Sequence, residues 1–274
     1  MLLKQRRKLM WLYLTASLVL LFAYVLYARL EFVDLAFDSG VFLTFLMLIL
    51  TSYNLKKKIS FIPIGASKTW TQVHIYIGIF SFFLFLVHTS FKIPSGALEV
   101  LLAIMYGLTF LTGIIGLFIT RVFPNRLTAR GDEVVFENIP IERNLIKEEV
   151  EDMIINVAKK TKSEHLIKFY KKELSDYFSA PSHLLSHLFE SRRPLRVLND
   201  KVNDLKRYCD KDEIACLDKL NELIIAKGHL DYHNSLQGTL KLWLFVHIPL
   251  AYSMLIFALL HILMVFYFRG RIPS

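Results

Sequence analysis

Cysteine is nearly absent. Cys209 and Cys216 are the only two in 274 residues, and a seven-residue step is not the C-x-x-C spacing of a redox or zinc pair. Both are expected to be reduced thiols on a helix. Glycine-rich phosphate loops and dinucleotide-binding glycine motifs are missing too, so a chain that carries its own nicotinamide or flavin dinucleotide is not expected. Internal repeats and low-complexity runs are also lacking. Charge is scarce, at 21% of residues against 54% hydrophobic and 14% aromatic, which is too apolar for an ordinary soluble domain. The formal net charge of +9 does not describe a soluble basic face, because residues 121–238 hold 20 basic and 20 acidic side chains and the remainder holds 13 and 4. The excess flanks apolar runs, where it sets topology, and no nucleic-acid partner is expected.

Five apolar runs, at roughly 10–28, 35–53, 70–91, 97–120 and 240–268, approach or exceed the ~20 residues that cross a hydrocarbon core. Asp34 and Asp38 shorten the second to a clean stretch from Val41 to Leu50, making it the weakest of the five. Lys4, Arg6, Arg7 and Lys8 precede the first run, which continues to about Ala28 without a small-residue cleavage site and so reads as a retained anchor rather than a signal peptide. With Lys56, Lys57, Lys58 and Lys68 between the second and third runs, and Glu31, Asp34 and Asp38 after the first, the positive-inside rule places the N-terminus in the cytoplasm. The expected fold is an all-α integral membrane protein of five transmembrane helices with a four-helix core. Residues 1–120 form its first four spans, 121–238 an inserted cytoplasmic helical domain, and 239–274 the fifth span with a short external tail. The expected location is the inner membrane of a bacterium. Arg269 and Arg271 on the tail run against this topology.

The inserted segment places Leu145, Val150, Met153, Ile154 and Val157, and then Leu217, Leu220, Leu223 and Ile224, at helical spacing, with breaks at Pro140, Pro181 and Pro194. Its length suits one modest core.

Four of the nine histidines fall inside apolar runs: His74 and His88 in the third, His247 and His261 in the fifth. Ionisable groups in a membrane are costly and by default functional. Both pairs are 14 residues apart, which returns to within about 40° of one helix face and separates the rings by roughly 21 Å. One crossing intervenes, so the two spans run parallel, and His74 matches His247 in depth as His88 matches His261. Opposed neutral imidazoles on neighbouring bundle helices are what a six-coordinate haem iron requires. Between the ligands the stripes run Gly78, Ser81, Phe85 and Ala251, Met254, Ala258; their small residues leave room for a flat ring, although small residues also promote bare helix packing. Gly107, Gly113 and Gly116 in the fourth run carry the same two readings.

The pattern His74-x13-His88 and His247-x13-His261 resembles the bis-haem cytochrome b architecture of respiratory quinol-oxidising complexes and, more distantly, of ferric reductases and the membrane part of NADPH oxidases. The resemblance covers about residues 70–120 and 240–268. It implies that the four histidines are axial ligands of two haems b, held without covalent attachment since no C-x-x-C-H occurs. It also implies electron transfer across the membrane, between a cytoplasmic iron-sulfur or flavin protein and a quinone or an external cytochrome c, as a subunit of a larger redox complex. The large insertion departs from the familiar members. The alternative is a non-redox transporter or scaffold whose histidines relay protons or metal ions, although no Asp or Glu lies deep in these two runs.

Arg121 and Lys241, with Lys68 and Arg126, sit at the predicted cytoplasmic boundary, where they serve as propionate donors or as ordinary anchors. Trp70 and Trp243 fit an interfacial belt, and Pro249 is expected to bend the fifth span. His229 and His233, and His183 and His187 on a helix begun by Pro181 and Ser182, repeat a four-residue step that two helices can turn toward zinc. Without a neighbouring glutamate or cysteine ligand that reading is not favoured. His233 is expected at the surface, because Asn234, Ser235, Gln237 and Gly238 interrupt the helix and Ser60 holds the matching position of the third span.

Overall fold

Hydrocarbon offers no partner for a peptide group, so runs this apolar must close their backbone hydrogen bonds within helices. A computed structural model describes residues 3–31, 34–58, 67–130, 134–162 and 164–269, and among these it contains helices and no strand. The side chains of Lys4, Arg6, Lys56, Lys57, Lys58 and Lys68, and all of Ser60 and Arg271, lie outside the described residues. Five helices are long and apolar enough to cross a membrane: α1 (Leu3–Leu30), α2 (Leu35–Lys58), α3 (Ser67–His88), α4 (Ala97–Thr128) and α10 (Lys211–Arg269). Between α4 and α10 come α5 (Ile139–Thr161), α6 (His165–Phe169), α7 (Ser175–Ser179), α8 (Leu184–Leu188) and α9 (Arg193–Lys206). The chain divides into two compact units, one of residues 1–118 with 243–274 and one of 119–242.

In the first unit, the acidic residues that weaken the second apolar run turn out to start its helix. Asp34 caps α2 by accepting the Phe37 N–H at 3.1 Å, and Asp38 accepts the Tyr24 hydroxyl at 2.8 Å. Asp34 also pairs with Arg269 at 3.6 Å, and the Arg269 guanidinium lies 3.7 Å over the Phe37 ring. The basic tail residue that offends the positive-inside rule therefore has a local partner. The interior joins Leu43, Leu46 and Met47 of α2, Leu84 of α3, Tyr106 of α4, and Met254 and Ala258 of α10. Ser81 is buried there, its hydroxyl 3.1 Å from that of Tyr106, and Phe85 stacks on the Tyr106 ring at 4.2 Å.

The second unit has its own core, with Val150, Leu174, Val202, Leu217 and Ile224 fully buried. Leu145, expected on that face, is 59% exposed. Pro140 and Pro194 mark helix boundaries as expected, and neither interrupts a helix interior: they occupy the first turns of α5 and α9, where a missing N–H leaves no bond unmade. Nor does α10 stop at Asn234–Gly238. Ser235 donates to Leu184 O at 2.7 Å, Gln237 donates to Val134 O at 2.8 Å, and Phe136 covers Gly238. These tertiary bonds outweigh the weak helix propensity of the stretch. Cys216 is buried on α10, whereas Cys209 falls in the turn before it and donates to Leu205 O. Burial pushes both thiols up, Cys209 to about 11.

Candidate metal centre

His88 closes α3, and α2 is shaped to receive it. A side chain on Gly40 would begin 2.7 Å from His88 Cε1, so the imidazole fits only because position 40 is glycine. Its Nδ1 lies 2.8 Å from Ala36 O. A carbonyl can only accept, which puts the proton on Nδ1 and leaves the Nε2 lone pair available. His261 faces it from α10, with ring centroids 6.3 Å apart and planes at 85°. Imidazole nitrogens at about 2.0 Å on opposite sides of a metal stand about 4 Å apart, and half a ring on each side brings the centroids to roughly 6 Å. The spacing is that of two rings between which a single metal ion could be held.

The other two histidines are oriented separately. His247 Nδ1 lies 2.8 Å from Thr112 Oγ1, and that hydroxyl donates its own proton to Thr109 O at 2.9 Å. The Thr112 oxygen thus accepts from Nδ1–H, again leaving the Nε2 lone pair available. The Trp243 ring stacks on His247 at 5.5 Å while its indole N–H donates to Thr112 O at 2.8 Å, so Trp243 is turned inward onto α4 and not out to an interfacial belt. Gly116 makes room for that indole, and Gly113 lies beside the His247 ring. His74 packs against Tyr53 at 5.1 Å, and the Tyr53 hydroxyl reaches Thr71 at 2.8 Å. Among the described residues no ring contact joins His74 to His247. Gly78, one turn from His74, is half-buried and faces open space, as does the exposed Gly107.

Of the remaining small-residue positions, Ser81 and Ala258 lie in the central layer between the two histidine levels and Ala251 is half-buried. Arg121 and Lys241 belong to the second unit. Lys241 pairs there with Glu137 at 2.5 Å and lies 3.9 Å over the Phe136 ring, while Arg126 pairs with Glu190 at 3.3 Å. Ala36, Gly40 and Thr112 escaped the sequence reading, and Trp243 was read there only as an interfacial residue. The one signal for them was a glycine or hydroxyl at a depth matching a histidine on another helix, and that requires knowing which helices touch.

Among the described residues no three His, Cys, Asp or Glu side chains gather to hold a metal ion. His183 is not on a helix but caps α8 with a left-handed backbone, and its ring faces Tyr177. His187 faces Tyr232, and His229 contacts Arg130 O at 3.0 Å. His233 is 2% exposed, not a surface residue, because the uninterrupted α10 keeps it on the packed face between His229 and Tyr232. Comparison with protein-family models, with curated proteins and with solved structures gave no match.

Proposed function

We propose that the chain is a di-haem cytochrome b that carries electrons across a bilayer, with His88 and His261 as axial ligands of one haem b and His74 and His247 as those of the other. The observation that carries this reading is the 6.3 Å approach of the His88 and His261 rings. It is supported by a tautomer, fixed at His88 and again at His247, that reserves Nε2 for a metal. At the second level the support is register, the open space beside Gly78 and the oriented His247 ring. Each iron, when bound, supplies one-electron chemistry by cycling between ferric and ferrous states. The protein's part is to hold the rings. Ala36 and Thr112 fix two imidazoles, Gly40 leaves room for the His88 ring, and the layer of Ser81, Phe85, Tyr106 and Met254 packs between the levels. The two levels lie roughly 21 Å apart by helix rise.

In this reading the N-terminus and the second unit are cytoplasmic and the C-terminus external, in a bacterial inner membrane. The unit of residues 119–242 docks a soluble iron-sulfur or flavin partner, and a quinone or cytochrome c serves the other side. Replacing His88 or His261 by alanine tests the pairing. The dithionite-reduced minus oxidised spectrum of the purified protein should lose one of two low-spin b centres and keep the other. Two intact centres in either variant would refute the pairing.

A further inference from the structure

Past the last apolar turn of α4, Arg121, Asn125 and Arg126 line a cleft of about 550 Å³, and Arg130 and Arg192 complete its wall. Among the described residues Glu190 is the one carboxylate facing this space. Four guanidinium groups crowded into a concavity repel one another, a cost that a flat, solvated basic surface avoids. Two of the four are ordered in advance. Arg126 donates to Leu188 O at 2.8 Å and holds Glu190, and Arg130 stacks 3.7 Å over the buried ring of Tyr232. Arg121 and Arg192 are exposed. A guanidinium fork matches the paired oxygens of a phosphate, and the volume lies within the range of ligand sites.

Depth and surroundings select the kind of phosphate. The apolar run of α4 ends one residue before Arg121, so Arg121 and the turns after it reach the headgroup level of the bilayer that this helix is apolar enough to cross. The segment that brings Glu190 and Arg192 also carries Leu185 and Phe189, which are 71% and 82% exposed. Bare apolar side chains beside a basic cluster are what an interfacial segment presents to acyl chains and anionic headgroups.

We propose that this cleft binds the phosphate of an anionic phospholipid headgroup. The site is independent of any haem and rests only on α4 as a membrane span. The chemistry it recognises is a phosphate ester, which a soluble phosphate compound also offers, so both sources are tested. The full-length protein is reconstituted in nanodiscs of phosphatidylcholine with a minor share of phosphatidylglycerol. Lipid retained on mild delipidation is then measured by native mass spectrometry for wild type, Arg121→Gln/Arg192→Gln and Arg121→Lys/Arg192→Lys. In parallel, pyrophosphate is titrated calorimetrically onto the protein in pure phosphatidylcholine nanodiscs.

Wild type should retain phosphatidylglycerol over phosphatidylcholine. The preference should fall about fivefold for each arginine replaced by glutamine, fall less for the lysine pair, and weaken with added salt. Variant-sensitive pyrophosphate binding without any phosphatidylglycerol preference would overturn the lipid assignment in favour of a soluble phosphate. Equal retention by wild type and the glutamine variant would overturn the site altogether. Should the glutamine variant fail to fold, the lysine variant carries the test, and retention identical to wild type counts against the fork.

Discussion

At the scale of single residues, the decisive contact is glycine against imidazole. Replacing Gly40 by alanine introduces a Cβ 2.7 Å from His88 Cε1, closer than carbon atoms pack, so the ring must leave its seat and its bond to Ala36 O. Gly40→Ala should therefore lower the content of the haem proposed at His88 and His261, read as a smaller low-spin difference signal with helicity unchanged. Full haem content would show that the seat is not needed. Away from the five helices able to span a membrane, half-buried His187 is pulled down from 6.5 to about 4, chiefly by desolvation, with His183, Arg130 and Lys227 adding in that order. Its folded-state value is depressed, so the unfolded chain binds the extra proton first. The neutral ring's contribution is whole above about 6.5 and is lost as pH falls through about 4. The thermal midpoint of wild type should drop more steeply than that of His187→Leu across this window, and parallel curves would contradict the assignment.

At the scale of elements, Asp34 shows why the second span was the hardest to read. A carboxylate beside an apolar run lowers the run's apparent length, yet the same carboxylate, one residue before Leu35, is the N-cap that starts α2. Asp34→Ala should cost about 1 kcal/mol of stability and release Arg269 from its ion pair. A denaturation midpoint unchanged from wild type would count against the cap. The continuous α10 was illegible for a related reason, since polar residues at 234–237 suggest a break until Leu184 and Val134 are known to accept their hydrogen bonds. In the second unit, periodicity found Val150, Ile154, Leu217, Leu220 and Ile224, all of them buried, but placed Leu145 with them. An apolar residue at helical spacing on the first turns of α5 has no guarantee of a neighbour. Leu217→Ala, at a fully buried position, should destabilise that unit by about 2–5 kcal/mol, measurable as an earlier urea transition.

At the scale of the molecule, composition and run length sufficed for an all-helical chain with five helices able to span a membrane, because lipid leaves the backbone few options. The sequence boundaries at 120/121 and 238/239 stand beside structural ones at 118/119 and 242/243. The positions of His74, His88, His247 and His261 were legible from their spacing. The parts that orient them were not, since Gly40, Ala36 and Thr112 acquire meaning only once α2 meets α3 and α4 meets α10. Nor could spacing distinguish a level where the rings meet directly from one where each is held by a different aromatic partner. The central claim is tested most directly by a pyridine haemochrome assay on the purified full-length protein. Two haems b per chain with a six-coordinate low-spin spectrum are expected; colourless protein, or protein with no low-spin b haem, would contradict it.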